Sequence, residues 1–403
     1  MNRPGRLILF WFLILLGSVQ LWISLAGQAV FTSLPGEVSR WVFISDPSIL
    51  VKRAEQHLFT GEIAPAHGLL TSALWNDPFY VPAWIKMAEL YDNTGQRDRA
   101  VYIARYIHAF SAESALWQWD KALLDYQLDL KDFLAQDLTF IISENPSKRR
   151  KALDLAIRIW PDPDQLIDNI GRDALPILFK YCIGKGMLDN AIALWPVVAD
   201  SNMLKDRDRL RFIDRLWTRD HVRMAAAVWK KYFDSRHLLH NGNFSKPLLN
   251  AGFGWRMCKK GRLKGLSWER IKKDGRYCIH FAFLGSHNLN MYHFHQIVPV
   301  RSGGRYMLTG TWRSKNVTTD QKPFVEIVGA RCRMKPVSSG MISGNQEWGS
   351  FKVIFSVPDQ CQLVNIRLRR KESLQIDNLI DGDMWLTGMK LKEMSQAVSE
   401  RVQ

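Results

Sequence analysis

The clearest potential for chemistry in this sequence is anion binding by a cation-rich run. Nine Lys and Arg residues lie between Arg256 and Arg276, against only two acidic residues. Such a density of positive charge predicts a patch for an anionic ligand, and a solvated loop is the alternative. The residues that we predict for this patch are Lys259, Lys260, Arg262, Lys272 and Lys273.

The basic character of the chain belongs to its C-terminal part. The 403 residues carry a formal charge of +16. From residue 241 onward there are 26 Lys and Arg against 12 Asp and Glu, whereas residues 1–240 carry 29 against 27. A basic domain implies an anionic partner, which could be nucleic acid, anionic lipid or an acidic polysaccharide.

The sequence shows no spacing typical of a catalytic or metal site. His293 and His295 would share one face of a strand and could hold a metal, but no third ligand is evident. No carboxylate pair and no Ser–His arrangement stands out. We therefore predict no catalytic residue, no metal and no cofactor.

The cysteine spacing leaves disulfides open. The five cysteines, Cys182, Cys258, Cys278, Cys332 and Cys361, form no CxxC pair, and four of them lie in the basic part. Two disulfides or buried free thiols are both compatible with this pattern. If the domain is exported, we expect Cys332 to pair with Cys361, because one follows a predicted strand and the other precedes a later one.

The N-terminus predicts export. Residues 7–30 are almost entirely apolar, and no charged residue lies between Arg6 and Glu37. That length can span a bilayer, so we predict a transmembrane helix at 7–31 after a cytoplasmic segment at 1–6. The alternative is a signal peptide cleaved after Ala26. Either topology places the remainder outside the cytoplasm and excludes nucleic acid as the partner.

The sequence pattern of residues 47–240 predicts stacked pairs of helices. Small residues recur every 34 residues, at Ala54, Ala88 and Ala122, and Gly61 recurs as Gly95. This period resembles the tetratricopeptide repeat family, which implies a solenoid that binds a protein partner. A spacer with no partner is the alternative. In the third unit, Gln118 and Asp125 replace the expected Trp and Tyr, and two weaker units follow at 174–199 and 206–235.

The stretch Asn241–Arg256 marks the change from helices to strands. Short alternating segments separated by turn residues predict a two-sheet β-sandwich at 241–393, followed by a tail at 394–403. We predict strands at 243–257, 277–284, 293–300, 306–313, 323–330, 348–357, 362–369 and 384–392. The fold class is therefore multidomain α plus β.

The β-region resembles the carbohydrate-binding-module group of jelly rolls. The motif NGNF at 241–244, the Gly254–Trp255 pair and the strand ending at Arg313 carry this resemblance. With the repeats, the chain is similar to membrane-anchored tetratricopeptide proteins found with bacterial exopolysaccharide machinery. Related modules hold a structural calcium with carboxylates, but Asn243, Ser245, Thr387 and Gly388 stand at those positions here.

The resemblance implies that Gln296 and Arg313 lie near a sugar-binding groove. Strand alternation supports Arg313, because it falls opposite the apolar face of its strand. Tyr292 and Trp268 are the aromatic candidates, in adjoining loops, for stacking on sugar rings. We expect Trp255 and Trp312 to lie in the core.

These features together predict a non-enzymatic protein anchored in the bacterial inner membrane, with most of its chain in the periplasm. The solenoid would bind a protein partner, and the sandwich would bind a polysaccharide, by its charge an acidic one. The alternatives are a carbohydrate-active accessory enzyme and a structural assembly factor without a ligand.

Overall fold

The computed structural model describes residues 46–111, 116–259, 261–376 and 378–394. The predicted transmembrane segment, Lys260 and most of the predicted tail lie outside these ranges. Within them, no helix combines the length and the apolar character needed to cross a membrane. An α-helical region is followed by antiparallel sheets, as the sequence predicts.

Twelve helices form the first part of the described chain. They are α1 Pro47–Phe59, α2 Ile63–Asn76, α3 Val81–Asn93, α4 Arg97–Ser111, α5 Gln118–Gln127, α6 Lys131–Glu144, α7 Arg149–Ile159, α8 Pro163–Asn169, α9 Leu175–Lys185, α10 Leu188–Val198, α11 Asp206–Thr218 and α12 Val222–Tyr232.

The 34-residue period is present in the helices themselves. Helices α1 and α3 start 34 residues apart, and so do α2, α4 and α6 in succession. Ala54, Ala88 and Ala122 are all 0 % exposed. Small side chains at these positions allow neighbouring helices to approach closely, which explains why they recur.

Five pairs of successive helices are joined by a turn that contains one residue in the left-handed region. Gly61, Gly95, Asp129, Gly186 and Asp220 have φ of 78°, 77°, 57°, 79° and 67°. They fall in the turns of pairs α1/α2, α3/α4, α5/α6, α9/α10 and α11/α12. Glycine or aspartate tolerates this conformation, so the same turn geometry recurs even where the small-residue pattern is weak.

Two antiparallel sheets form the second part. The strands are β1 Leu266–Lys273, β2 Arg276–Leu284, β3 His295–Pro299, β4 Arg305–Lys315, β5 Phe324–Gly329, β6 Val337–Ser338, β7 Gln346–Ser356, β8 Leu363–Arg369 and β9 Asp381–Glu393. The first sheet has the order β1-β2-β9-β4-β7, and the second has the order β3-β8-β5-β6. One apolar core, with side chains from both sheets, lies between them and makes the domain a sandwich.

Trp255 and Trp312 lie in this core, 1 % and 5 % exposed, as predicted. The predicted strand at 243–257 was wrong. Only Arg256 forms an isolated bridge, to His295, and left-handed residues such as Phe244 and Asn250 interrupt the extended backbone. Strand β1 was not predicted, because its charged residues obscure the alternation.

The chain divides into two compact units between Leu178 and Phe179. The second unit therefore contains helices α10 to α12 together with the sandwich, whereas the sequence suggested a boundary at residue 240. Within this unit, Asp214 on α11 accepts a hydrogen bond from Arg256 at 2.5 Å. Asp220 forms a two-point ion pair with Arg331, with both distances 3.0 Å.

A disulfide joins Cys332 and Cys361, which confirms the expected pair. It closes a segment of 29 residues that contains β6 and β7. Cys182, Cys258 and Cys278 are free thiols. Burial raises the pKa of Cys182 to about 12 and that of Cys278 to about 11, so both stay protonated.

Candidate functional site

The predicted sugar-binding residues do not converge on one groove. Gln296 is 0 % exposed, and its Nε2 donates to the Phe253 carbonyl at 2.6 Å. It therefore holds the segment 241–255 in place rather than facing a ligand. It lies on β3 of the four-stranded sheet, on the same face as the core residue Val298. Arg313 lies on β4 of the other sheet and points away from the core.

The two aromatic candidates are also separate. Trp268 lies on β1, not in a loop, and it packs partly buried against the core while its Nε1 donates to the Cys258 carbonyl at 3.2 Å. Tyr292 is 48 % exposed and stacks on His293, with ring centroids 4.4 Å apart. The guanidinium of Arg369 lies 5.9 Å from the Tyr292 ring.

The cation-rich run is split rather than gathered into one patch. Lys259 and Arg262 precede β1, whereas Lys272 and Lys273 lie at its far end. An extended strand of this length separates its ends by roughly 23 Å. The predicted patch therefore exists as two smaller groups, because a run that is dense in sequence becomes long when it is extended.

Arg313 belongs to a transverse row of polar and aromatic side chains on the outer face of the five-stranded sheet. Trp385 on β9 lies directly between His280 on β2 and Arg313 on β4 in the strand register. Glu269 on β1 lies opposite His280. We call Glu269, His280, Trp385 and Arg313 the Trp385 row.

Both neighbours of Trp385 are fixed against its ring. The His280 ring is parallel to the indole within 4° at 4.8 Å, and the Arg313 guanidinium lies 5.9 Å from the indole centroid. Lys273 also places its ammonium 5.0 Å from this ring. Trp385 is consequently only 6 % exposed, and its Nε1 has no hydrogen-bond partner among the described residues.

The ring nitrogens of His280 are both occupied by carboxylates. Nε2 lies 2.7 Å from Asp383 Oδ1, and Nδ1 lies 3.5 Å from Glu269 Oε1. The imidazole is thus held in one orientation, stacked on Trp385. Both ring nitrogens thus face carboxylates in this arrangement.

Arg313 connects two acidic side chains at the opposite end of the row. It donates to Asp274 at 2.9 Å and to Glu347 at 3.0 Å, and the indole of Trp348 donates to the same Asp274 oxygen at 2.9 Å. The hydrogen bond from Trp348 and the charge of Arg313 lower the pKa of Asp274 below its usual value. Asp274 and Glu347 are exposed, so these planar groups are accessible to a polar ligand.

A strip of small hydroxyl side chains lies next to the Trp385 row. Thr387 on β9 and Thr311 on β4 are paired directly, and Thr311 is paired with Ser350 on β7. Two exposed lysines, Lys390 and Lys352, flank Thr309 one register step further along. Arg313 and Thr309 are four residues apart on β4, which corresponds to roughly 13 Å.

The lysine end of this face has no acidic partner among the described side chains. Lys352, Lys390 and Lys392 are exposed and take part in none of the ion pairs of the described residues. The acidic residues of the face, such as Glu269 and Asp383, lie instead in or beside the Trp385 row. The outer face therefore has a mixed polar row, a hydroxyl strip and a lysine row in parallel.

A separate cavity of about 700 Å³ lies where the chain passes from the last helix into the sandwich. Asp234, His240 and Lys246 are among its lining residues. Burial alone would raise the pKa of Asp234, but hydrogen bonds from His240 and from backbone amides outweigh burial and lower it. Asp234 accepts from His240 at 2.9 Å and from the amides of Arg236 and His237 at 3.1 Å each, so it organises this connection.

Alternation within single strands does not reveal the Trp385 row. His280 lies on β2, whereas Asp383 and Trp385 lie on β9, roughly a hundred residues later in the chain, and only the sheet order brings them together. Alternation within 306–313 did identify Arg313 as outward-facing. The same rule applied to 384–392 would have placed Trp385 on the outer face, since it lies between the core residues Met384 and Leu386.

No protein-family model matches the sequence, and no curated protein matches it. Among solved structures, the chain is similar to a family 4 carbohydrate-binding module, with 14 % identity, TM-score 0.29, and coverage of 39 % of this chain and 99 % of the module. It is similar to TmCBM61, determined with beta-1,4-galactotriose, at 13 % identity, TM-score 0.28, and coverage of 40 % and 99 %. It is also similar to PilF of Pseudomonas aeruginosa, at 14 % identity, TM-score 0.27, and coverage of 47 % and 93 %. Values this low carry no argument about ligand or activity, which must come from the side chains.

Proposed function

We propose that this chain is a non-enzymatic binding protein whose sandwich holds an acidic polysaccharide on the outer face of the five-stranded sheet. Its helical repeats bind a protein partner, and its N-terminal segment anchors it in the bacterial inner membrane with the rest in the periplasm. The role that fits these parts is a scaffold in exopolysaccharide synthesis or export.

The observation that carries the glycan proposal is the layout of the outer face. Planar hydrogen-bonding groups at Arg313, Asp274 and Glu347 match the paired hydroxyls of sugars. Beside the Trp385 row, Thr311 and Ser350 of the hydroxyl strip offer hydroxyl groups on the same face, whereas the Thr387 hydroxyl is buried and donates to the Tyr277 carbonyl at 2.6 Å. A chain lying along this strip would cross several strands in contact with protein.

The lysine row supports an acidic rather than a neutral glycan. Lys352 and Lys390 lie on the two strands that flank β4, on either side of Thr309. Both lysines would therefore contact the same edge of a polysaccharide bound along the hydroxyl strip. Lys392 extends this row opposite Met307. Cations that have no acidic partner among the described residues favour the carboxylates of a uronic-acid polymer.

The arrangement of His280 supports a binding protein over an enzyme. A general base needs a ring nitrogen within hydrogen-bond reach of the substrate. In His280 one nitrogen is close to Asp383 and the other faces Glu269, while the ring itself lies flat on Trp385. This imidazole positions its neighbours instead of carrying a proton to a ligand.

The test is retention of the full chain on a polyuronate and on an uncharged glucan at two salt concentrations. Exposed surface charges are screened within about 10 Å at 0.1 M salt and about 3 Å at 1 M salt, so binding to the polyuronate should weaken strongly. Lys352→Glu together with Lys390→Glu should remove the salt-sensitive part. Lys335→Glu together with Lys371→Glu, two exposed lysines outside the five-stranded sheet, is the matched control and should have no effect.

Arg313→Ala should instead weaken binding at both salt concentrations, because it removes directional hydrogen bonds. Equal retention on both glycans, independent of salt, would refute the acidic preference. Failure of the folded chain to bind any glycan would favour the structural assembly role. Turnover of a glycan that Arg313→Ala abolishes would favour the accessory-enzyme alternative.

The protein-partner proposal rests on exposed aromatic side chains of the second repeat. Tyr102, Tyr106 and Phe110 are spaced at i, i+4 and i+8 on α4, and Tyr102 and Phe79 are 74 % and 66 % exposed. Ring contacts of 5.0 to 5.6 Å join Tyr106, Phe110 and Phe79 into one cluster. Exposed aromatic clusters of this kind are typical of protein interfaces.

A photocrosslinking residue at Tyr102 should capture the partner in cells, whereas the same residue at exposed Arg150 on α7 should not. Equal capture at both positions would contradict the assignment of this surface.

For the anchor, a reporter active only outside the cytoplasm should work when fused after Gln403, and the mature chain should begin at Met1 or Asn2. A mature chain that begins at Gly27 would indicate a signal peptide instead.

A further inference from the structure

The third helical repeat contains a buried polar centre that the function above does not use. His108 on α4, Lys121 and Asp125 on α5, and Asp137 on α6 meet there. Lys121, Asp125 and Asp137 are only 1 %, 1 % and 2 % exposed. Charged side chains are almost never this deeply buried unless they are paired or bind a metal.

The repeat itself shows that packing does not require these residues. Counting back 34 residues, Gln118, Lys121, Asp125 and Asp137 correspond to Trp84, Met87, Tyr91 and Ile103 in the second repeat. Met87 and Ile103 are buried core residues there, and Trp84 and Tyr91 pack against the same core. Four positions filled by apolar or aromatic side chains in one repeat are therefore polar in the next, and all four meet at one point.

The internal hydrogen bonds leave the centre incomplete. His108 Nε2 lies 2.8 Å from Asp125 Oδ2, Gln118 donates to Asp137 Oδ1 at 2.6 Å, and Lys121 donates to the Ser111 carbonyl at 3.1 Å. The second oxygen of Asp125, the second oxygen of Asp137 and the amide oxygen of Gln118 have no partner among the described residues. All three unpartnered atoms are acceptors, so a cation or a hydrogen-bond donor placed among them would satisfy them.

The spacing of the possible ligands favours a metal ion. One ligand atom each from His108, Asp125 and Asp137 lies within 4.8 Å of the others. In tetrahedral coordination with bonds of roughly 2.0–2.2 Å, ligand atoms lie about 3.3 to 3.6 Å apart, so small side-chain rotations would close the site. A cavity of about 390 Å³ has His108, Gln118 and Asp137 among its lining residues, so three of the four proposed ligands border it.

We propose that His108, Asp125 and Asp137, together with the amide oxygen of Gln118, bind a divalent transition-metal ion. One imidazole with carboxylate and amide oxygens suits zinc(II) or manganese(II), and it offers too few oxygens for calcium. The ion would join helices α4, α5 and α6 and so link the second repeat to the third. Lys121, 3.8 Å from Asp137, is the competing internal cation.

The test uses the full chain without a tag, stripped with a chelator and titrated with Zn²⁺ and with Mn²⁺ by calorimetry. We expect one equivalent to bind. Asp125→Asn and Asp137→Asn should each weaken binding roughly 100-fold or more, since each removes a ligand charge. Asp120→Asn and Asp132→Asn are the matched controls, because they lie exposed on the same two helices and should bind normally.

Two further variants keep the test decisive if single substitutions fail to fold. Lys121→Met installs the residue of the second repeat and should tighten metal binding by removing the competing cation. Replacing Gln118, Lys121, Asp125 and Asp137 together by Trp, Met, Tyr and Ile restores the second-repeat pattern, which should fold without binding metal. A folded wild-type chain that binds neither ion would overturn the proposal, and so would binding that persists in Asp125→Asn and Asp137→Asn.

Discussion

Replacing Asp214 by alanine should specifically weaken the attachment of the last helix pair to the sandwich. One oxygen of this carboxylate accepts three hydrogen bonds, from Arg256 at 2.5 Å, from the amide of Gly252 at 3.0 Å and from the indole of Trp217 at 3.0 Å. Two of the three donors belong to the segment that leads into the sandwich. The Asp214 and Arg256 side chains are 29 % and 22 % exposed, so the pair is only partly screened by water.

The expected loss follows from these contacts. A hydrogen bond to a charged group contributes about 1.5–3 kcal/mol, and a neutral one contributes about 0.5–1.5 kcal/mol. Arg256 would keep its bond to the Gly252 carbonyl at 2.8 Å, which limits the cost of leaving its charge unpaired. We therefore expect Asp214→Ala to lower the free energy of unfolding of the second unit by about 3 kcal/mol.

The measurement is chemical denaturation combined with hydrogen exchange of peptides that cover α11 and residues 250–258. For a unit of this size, about 3 kcal/mol corresponds to a fall in Tm of roughly 6–12 °C. Arg256→Met completes a double-mutant cycle, in which we expect a coupling energy of about 2 kcal/mol. Asp206→Ala is the control, since this side chain is 79 % exposed on the same helix. If Asp214→Ala and Asp206→Ala destabilised the chain equally, the three-bond linkage would contribute nothing and our reasoning would be refuted.

Three other predictions follow from the fold. Reducing the disulfide, or replacing Cys332 and Cys361 by alanine, should cost about 3–4 kcal/mol, as expected for closing a loop of about 30 residues, and denaturation with and without reductant measures it. Asp234→Asn should destabilise the second unit near pH 7. Because the folded pKa of Asp234 is lowered, the stabilisation is present above its unfolded pKa near 3.9 and is lost as pH falls through the folded pKa, so wild type and variant should converge in acid. In the repeats, Gly95→Ala should cost about 1 kcal/mol and Asp129→Gly should stabilise by up to about 1 kcal/mol, because both positions require positive φ; opposite signs in thermal melts would contradict this.

The sequence contained the repeats in a form that physical reasoning could detect. Ala54, Ala88 and Ala122 are small because helices cross closely there. The position where a helix starts depends on the turn before it, so the 34-residue period appears both in the small residues and in the helix starts. Asp129 is the informative case. It takes the place of Gly95 in the third turn and adopts the same left-handed conformation, although its side chain gives no sign of a glycine position.

The strands were harder to predict where charge and function override alternation. Strand β1 lies at the edge of its sheet, and its cationic residues, such as Lys272, suit an edge that must avoid pairing with other chains. The same charges made the segment resemble a loop. In the opposite direction, the pattern at 243–257 resembled a strand, but the left-handed conformations of Asn241, Phe244 and Asn250 fold it into turns.

The buried polar centre illustrates what a repeat adds to single-residue analysis. The replacement of Trp84 and Tyr91 by Gln118 and Asp125 was visible in the sequence, but as degeneracy of the third unit. Extending the same 34-residue comparison to Lys121 and Asp137 would have shown that all four changes replace an apolar or aromatic residue by a polar or charged one. Their convergence with His108 required the structure, because His108 lies on the preceding repeat.

The division of the chain at residues 178 and 179 affects how glycan binding can be isolated. A fragment beginning at Asn241 would lack Asp214 and Asp220, which pair with Arg256 and Arg331. It would also lack Trp229, whose ring lies 5.8 Å from Phe253. Loss of binding by that fragment would therefore reflect altered folding as readily as a missing ligand contact. Retention of binding would be informative, because the Trp385 row and the lysine row come entirely from strands of the five-stranded sheet.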